Sequence, residues 1–306
     1  MSGVAAGEDG APAIVAAFDI GSNSIKMTVA RRTGEGLEEF DWRSETVRLG
    51  QGIEGSNRLA DDRVAAALDT LSRFSRIARD AGAGRLIGVA TEATRVAANG
   101  AEFLDRVRLL TGIEVQSISG DREVDLTFKG LDGVVDLDGE SVVADIGGGS
   151  TEIILASERK VTWAASIALG SGRLADRFLR SDPPTIAEMA QCREAAAGAL
   201  AEVPFGQRAN LRLVIVGGTG EYLFRLLPPS SPGTPEALDT VASRLATMTA
   251  AELSTHLEIP LARAKVLPAG LEIARAVASL AGPTVVQAAK SGIRRGLLLA
   301  AFAGEL

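Results

Sequence analysis

Two short stretches of the chain carry the residue types that could do chemistry. One runs Asp19-Ile20-Gly21-Ser22-Asn23-Ser24; the other runs Asp145-Ile146-Gly147-Gly148-Gly149-Ser150-Thr151-Glu152. Each sits between two short apolar runs, so each reads as a tight turn between strands. Such a glycine-bearing turn can aim several backbone N–H groups into one concavity, and a nest of this kind binds anions, phosphate among them. Glycine serves where the backbone must take a positive φ and approach a ligand closely. Ser22, Asn23, Ser24, Ser150 and Thr151 add hydroxyl and amide donors. Asp19 and Asp145 cannot bind phosphate directly. Each can hold Mg2+ or a water, or brace its own turn. Either turn alone is an ordinary hairpin turn. Two copies, with a third cluster at Gly217, Gly218 and Thr219 in "VGGTG", point to a shared phosphate cleft. Neither turn matches the GxxxxGK[ST] phosphate loop.

The elements around the turns repeat. Ile14–Phe18 is a continuous apolar strand, and Ile25–Ala30 returns from the turn. Asp61 reads as a helix N-cap, followed by Val64, Leu68, Leu71 and Ile77 at helical spacing and stopped by Gly82. Strands from Arg85 and Ile113 alternate with helices from Glu102 and Asp121. The pattern restarts at Ser141: strand, glycine turn, strand from Ile153, helices from Arg173 and Ile186, and a strand from Leu211 running into a glycine turn. This alternation implies an α/β fold in two halves. The boundary falls in "GLDGVVDLDGE", giving domains of 12–135 and 136–306.

Composition agrees and excludes several classes. The 306 residues exceed the ~250–300 at which a single core stops growing, and 46% are hydrophobic. Aromatics are only 4%, so the core is mostly Ala, Val, Leu and Ile. A net charge of −7 argues against duplex nucleic acid as a partner; an anionic substrate needs locally placed cations, with Lys26, Arg48, Lys290, Arg294 and Arg295 as candidates. Cys192 and His256 each stand alone, which excludes an intrachain disulfide and any Cys or His metal cluster. His256 reads as a helix-end residue. The start "MSGVAAGEDGAPA" has no basic segment and reads as a flexible lead-in, and no apolar run approaches the ~20 residues of a membrane span. A cytoplasmic protein with no membrane partner is expected.

The paired loops on duplicated halves resemble the actin-like, or ribonuclease-H-like, architecture, two such domains with a cleft between them. Within it, "FDIGSNSIKMTVA", "ATEATRVAAN", "ISGDREVDLTF", "ADIGGGSTEIILA", "SIALGSGRLADRFL", "VLPAGLEIA" and "SGIRRGLLL" resemble the exopolyphosphatase / guanosine-pentaphosphate phosphohydrolase family, from about Ile14 to Leu299. Longer members carry an extra C-terminal helical module, and the chain resembles the short, two-domain form. The resemblance implies hydrolysis of terminal phosphate from inorganic polyphosphate, or of guanosine pentaphosphate at the same cleft, with Mg2+ (or Mn2+) neutralising phosphate charge. By position Glu123 matches the family's catalytic glutamate, a general base for water. Read alone it is a helix-start glutamate favoured by the macrodipole. Glu152 is the second candidate, orienting the water or, with Asp145 and Asp19, holding metal. Arg95 matches a family arginine that grips the phosphate chain bidentately. Gly21, Ser22, Asn23, Ser24, Gly147, Gly148, Gly149, Ser150, Thr151, Gly217, Gly218 and Thr219 are the expected substrate-binding set. A homodimer is expected by resemblance alone. One departure stands out: where the family shows Glu-Glu-Ala-Arg, this chain has Arg122-Glu123-Val124-Asp125. Two other classes fit less well. A kinase of this architecture would need an adenosine pocket and an acceptor-activating Asp; a phosphate- or nucleotide-binding regulator that has lost turnover is opposed by intact Glu123 and Glu152 and left open by Arg122 and Asp125.

Overall fold

The computed structural model describes residues 13–34, 36–206, 208–227 and 233–306. Residues 1–12, most of the expected lead-in, lie outside the described residues. Two units form: residues up to Leu131 together with Ile293–Leu306, and Asp132–Gly292. Each is described by itself.

The first unit begins with β1 (Ile14–Ile20), β2 (Ser24–Thr33) and β3 (Gly36–Thr46), then α1 (Ile53–Ser56), α2 (Asp61–Asp80), β4 (Arg85–Ala90), α3 (Glu92–Val96), α4 (Gly100–Thr111), β5 (Glu114–Ser117) and α5 (Gly120–Leu131). Its sheet runs β3-β2-β1-β4-β5, with β2 antiparallel and β4 parallel to β1. β1 reads as a nearly unbroken apolar run because both of its faces are covered. Ala16, Phe18 and Ile20 join Leu68, Leu71 and Phe74 of α2 and Phe103 and Val107 of α4 in one core layer. Val15 and Ala17, pointing the other way, join Leu126 of α5 in another. By the same period of two, Asp19 falls on the α5 face.

The second unit repeats the plan. It holds β6 (Glu140–Ile146), β7 (Thr151–Ser157), β8 (Lys160–Ile167), α6 (Ser171–Phe178), α7 (Ile186–Ala199), β9 (Arg212–Val216), α8 (Gly217–Leu226), α9 (Pro235–Ala246), α10 (Ala250–Leu257), α11 (Leu261–Ala264), α12 (Leu267–Ala281) and β10 (Val285–Ala288). The sheet order is β10-β9-β6-β7-β8, with β7 antiparallel and β9 parallel to β6. Even the irregularities repeat: opposite Val29/Ala30 of β2 the register skips Phe40 of β3, and opposite Leu155/Ala156 of β7 it skips Thr162 of β8.

The last helix, α13 (Ile293–Phe302), leaves the second unit and packs in the first. Its Ile293, Leu297, Leu298 and Ala300 complete the core layer of Val15, Ala17 and Leu126. A boundary read at residue 135 assigns this helix to the second half; its apolar face instead completes the uncovered side of the first sheet. Three local readings also change. The N-cap of α2 is Ala60, and Asp61 and Asp62 occupy the first turn, where the helix dipole favours them. "VGGTG" is no loop: β9 passes straight into α8 at Gly217, which takes φ 74°. The edge strands β3 and β8, and the short β10, carry no apolar run that announces them. His256 sits in the last turn of α10, as read, and Cys192 is buried. No helix among the described residues is long and apolar enough to cross a membrane.

Helix α7 opens with a capping box in which Thr185 and Glu188 satisfy each other's backbone N–H. Glu188 also accepts from the backbone N–H groups of Arg180 and Ser181. These bonds pull its carboxyl from 4.5 down to about 2, the Thr185 backbone N–H contributing most. A depressed carboxyl stabilises the fold above its ordinary value and loses that contribution as pH falls through the folded one. Thermal melts between pH 4.5 and 2 should therefore show a stability loss that Glu188→Gln lacks; parallel pH curves for the two proteins would refute this.

Candidate active site

The first turn is held from behind. Gly21 N–H donates to Ser24 O at 3.1 Å and closes the turn. Gly50 N–H donates to Ser22 O at 2.8 Å, and the N–H groups of Val47 and Arg48 donate to Asn23 O at 2.9 and 2.7 Å. A peptide's C=O and N–H point in opposite directions, so carbonyls captured on one side commit the amides to the other. Arg48 takes φ 55° to make its bond, an uncommon conformation for a non-glycine residue. Ser22 and Asn23 are buried, and Ser22 Oγ donates to Glu92 Oε2 at 3.0 Å. Thr91 N–H donates to Ile20 O at 3.2 Å, so the start of α3 is tied to the end of β1.

The same helix α3 carries Arg95 at its other end. The guanidinium donates to Ile118 O at 2.7 Å and lies 3.7 Å from the Glu123 carboxylate. Glu123 occupies the first turn of α5 and is buried, 7% exposed. Arg122 is half-buried and Asp125 exposed, so the two departures from the family pattern flank a sequestered glutamate. Asp19 stands opposite Lys26 across the β1–β2 ladder. Burial raises its carboxyl above the usual value, and the charges of Lys26 and Arg294 oppose that rise. Arg294, from α13, also donates to Met27 O at 3.2 Å.

The second turn is tied in the same sense by different means. Gly147 N–H donates to Ser150 O at 3.0 Å. The first turn of α6 takes the carbonyls: Ser171 N–H to Gly147 O at 2.9 Å, and the N–H groups of Gly172 and Arg173 to Gly148 O at 2.9 and 3.1 Å. Ser171 Oγ adds a bond to Gly147 O at 3.0 Å and Arg173 Nε one to Gly149 O at 3.1 Å. The approach is so close that a Cβ on Gly170 would fall 2.3 Å from Gly148 O. Close approach, and not a positive φ, is also what Gly21 and Gly147 supply: neither is left-handed, and an added Cβ would meet Ser24 O at 3.2 Å and Ser150 O at 3.0 Å.

Asp145 and Glu152 face each other directly across β6 and β7, both buried. Glu152 Oε1 accepts from Ser166 Oγ at 2.7 Å. Gly217 leaves room for Asp145: a Cβ there would lie 2.3 Å from Asp145 Oδ1. Thr151 Oγ1 donates to Leu169 O. Gly218 lies against Arg263, whose NH1 would be 2.9 Å from an added Cβ. Thr219 is fully buried under Gly270 of α12, its hydroxyl without a hydrogen-bond partner among the described residues.

Within each unit the predicted residues therefore assemble: Asp19, Gly21, Ser22, Asn23, Ser24, Arg95 and Glu123 in one; Asp145, Gly147, Gly148, Gly149, Ser150, Thr151, Glu152 and Gly217 in the other. Of the candidate cations, Lys26 and Arg294 act on Asp19, Lys290 lies 4.9 Å over the Phe224 ring, and Arg295 contacts Glu39 at 3.2 Å. Sequence reasoning missed Glu92, Ser166, Gly170, Ser171, Arg173 and Arg263. Glu92 and the α6 start lie in quoted motifs; Arg263, a buried guanidinium 5.1 Å from the Tyr222 ring, carries no local signal. Among the described residues no three His, Cys, Asp or Glu side chains converge to hold a metal. The Asp145–Glu152 pair nevertheless suits a hard divalent ion. Mg2+ needs only one or two carboxylates when substrate oxygens and water fill its shell. Asp19, already beside two cations, suits it less.

Residues 28–303 match the model of the Ppx/GppA phosphatase family. The chain is 37% identical over 190 residues to exopolyphosphatase 2 of Mycobacterium tuberculosis, a match spanning 58% of this chain and 59% of that protein, less than two thirds of its length. It is 29% identical over 297 residues to exopolyphosphatase 1 of Mycobacterium bovis, covering 92% and 86% of the two chains. The crystal structure of the Aquifex aeolicus Ppx/GppA family member superimposes with a TM-score of 0.75 at 27% identity, over 95% of this chain and 98% of that one. With its model matched over most of the length, the chain belongs to the Ppx/GppA phosphatase family.

Proposed function

We propose that the chain is an exopolyphosphatase, hydrolysing the terminal phosphoanhydride bond of inorganic polyphosphate. The observation that carries this reading is the first unit's chain of contacts: an amide-lined turn braced by Glu92 on α3, and on the same helix Arg95 beside buried Glu123. The names of the mycobacterial relatives support polyphosphate as substrate.

In this mechanism the turn amides and Arg95 bind the equatorial oxygens of the terminal phosphate and hold it for in-line attack. Glu123 takes a proton from water as the water oxygen bonds to phosphorus. The P–O bond to the next phosphate breaks, and the shortened chain leaves with its bridging oxygen. Arg95 keeps the Glu123 carboxylate oriented between turnovers. Asp145 and Glu152 would hold Mg2+ (or Mn2+), which when bound neutralises charge on the phosphate oxygens. Asp19 braces its own turn. The opposed carboxylates support this assignment of metal ligands, and the captured carbonyls support both turns as phosphate sites.

Phosphate release from long-chain polyphosphate, guanosine pentaphosphate and ATP, measured in parallel, tests the reading; release from guanosine pentaphosphate alone would replace it with the family's other activity, and release from none would leave a phosphate-binding regulator. Glu123→Gln should lower kcat by about 10²–10⁴-fold with polyphosphate binding largely retained. A near-full rate in that variant would remove Glu123 from the mechanism. Asp145→Asn should raise the Mg2+ concentration needed for half-maximal rate. Full turnover in excess chelator would eliminate the metal; unchanged Mg2+ dependence in both Asp145→Asn and Glu152→Gln would eliminate these ligands. Gly170→Ala should raise KM for polyphosphate by displacing the Gly147–Gly149 turn, and an unaltered KM would mean that this turn does not bind substrate.

A further inference from the structure

The C-terminal helix carries none of the groups assigned to the reaction, yet it bears on the one that matters most. Gly296 of α13 lies against the backbone of α5: an added Cβ would fall 1.8 Å from Leu126 O, 2.7 Å from its carbonyl carbon and 3.0 Å from its Cα. No side chain fits there unless one helix backbone moves. Leu126 is one turn along α5 from Glu123. Around this contact, Ile293, Leu297, Leu298 and Ala300 of α13 pack into one apolar layer with Leu126, Val15 and Ala17, and Lys129 of α5 bonds Glu305 at 2.6 Å beyond it.

Arg95 is anchored differently. It rides on α3 and is fastened to Ile118 O, just ahead of α5. Glu123 is carried by α5 itself and Arg95 by α3, so the depth to which α13 lets α5 settle bears on the distance between them. We propose that Gly296 is a positioning residue for the reaction: by admitting α13 to the backbone of α5, it sets Glu123 against Arg95 and the phosphate-binding turn. The inference rests on the reading of Glu123 as the base. Relieving a 1.8 Å contact takes a shift of about 1 Å or more, and a misplacement of that size at a reacting group can cost on the order of a hundredfold in rate. The turn and Arg95 are carried by β1, β2 and α3 and not by α5, so the larger effect is expected on kcat.

The experiment is a double-mutant cycle on the full chain, with long-chain inorganic polyphosphate as the probe. Gly296→Ala is expected to lower kcat by about tenfold to a hundredfold at unchanged KM, and to cost under about twofold more in a Glu123→Gln background, since neighbours acting as one unit are non-additive. A wild-type kcat in folded Gly296→Ala overturns the inference, as does a loss that persists in full without Glu123. If Glu123→Gln by itself runs at near-full rate, the base falls and this inference with it; a full rate in Gly296→Ala beside an inactive Glu123→Gln sinks the inference alone. Should Gly296→Ala not fold, Leu297→Ala opens space at the same seam and should lower kcat at constant KM. Leu71→Ala, buried on the other face of the sheet, should lower Tm and spare kcat. Unchanged kcat in folded Leu297→Ala, or an equal loss in Leu71→Ala, overturns the inference.

Discussion

The planar peptide is the constraint on which the site depends. A turn offers its N–H groups to an anion only if its carbonyls face elsewhere and are satisfied there. Both units meet that condition, each with its own device. In the first, the loop after β3 supplies three N–H groups, one of them from Arg48 in a left-handed backbone. In the second, the opening turn of α6 does the work, where unpaired N–H groups are present in any helix. The close approach of Gly170 to the second turn, and the buried Ser22–Glu92 bond at the first, are consequences of this one geometry.

The repeated folds are not repeated electrostatics. Across the first turn's ladder Asp19 faces Lys26; at the matching register of the second, Asp145 faces Glu152. One unit neutralises its aspartate internally, with Arg294 adding a second cation. The other sets two carboxylates together.

Much of this was legible in the sequence because the turns join residue type to position. Asp-Ile-Gly between two apolar runs specifies strand, turn and strand at once, and the repeat gave the two-unit plan. What escaped had weaker local signals. β3 and β8 are edge strands whose exposed faces break the apolar run, and β10 is only four residues. The glycines of "VGGTG" look alike in sequence but differ in use: Gly217 makes room for Asp145, Gly218 for Arg263. A glycine that answers to a distant side chain or carbonyl cannot be told from a turn glycine until that partner is in place. The placement of α13 was hidden for the same reason, since its apolar face fits either unit by composition.

That placement orders the birth of the protein. The first unit is discontinuous: its sheet and five helices are complete in sequence by Leu131, but the face that carries Val15, Ala17 and Leu126 stays bare until Ile293–Phe302 has been synthesised. Domains generally fold as units, N-terminal first, as the chain emerges. Here the second unit, contiguous from Asp132 to Gly292, can close while the first still waits for its last helix. Translation thus leaves an apolar sheet face open longest in the half that begins first, the interval in which a chaperone would be needed.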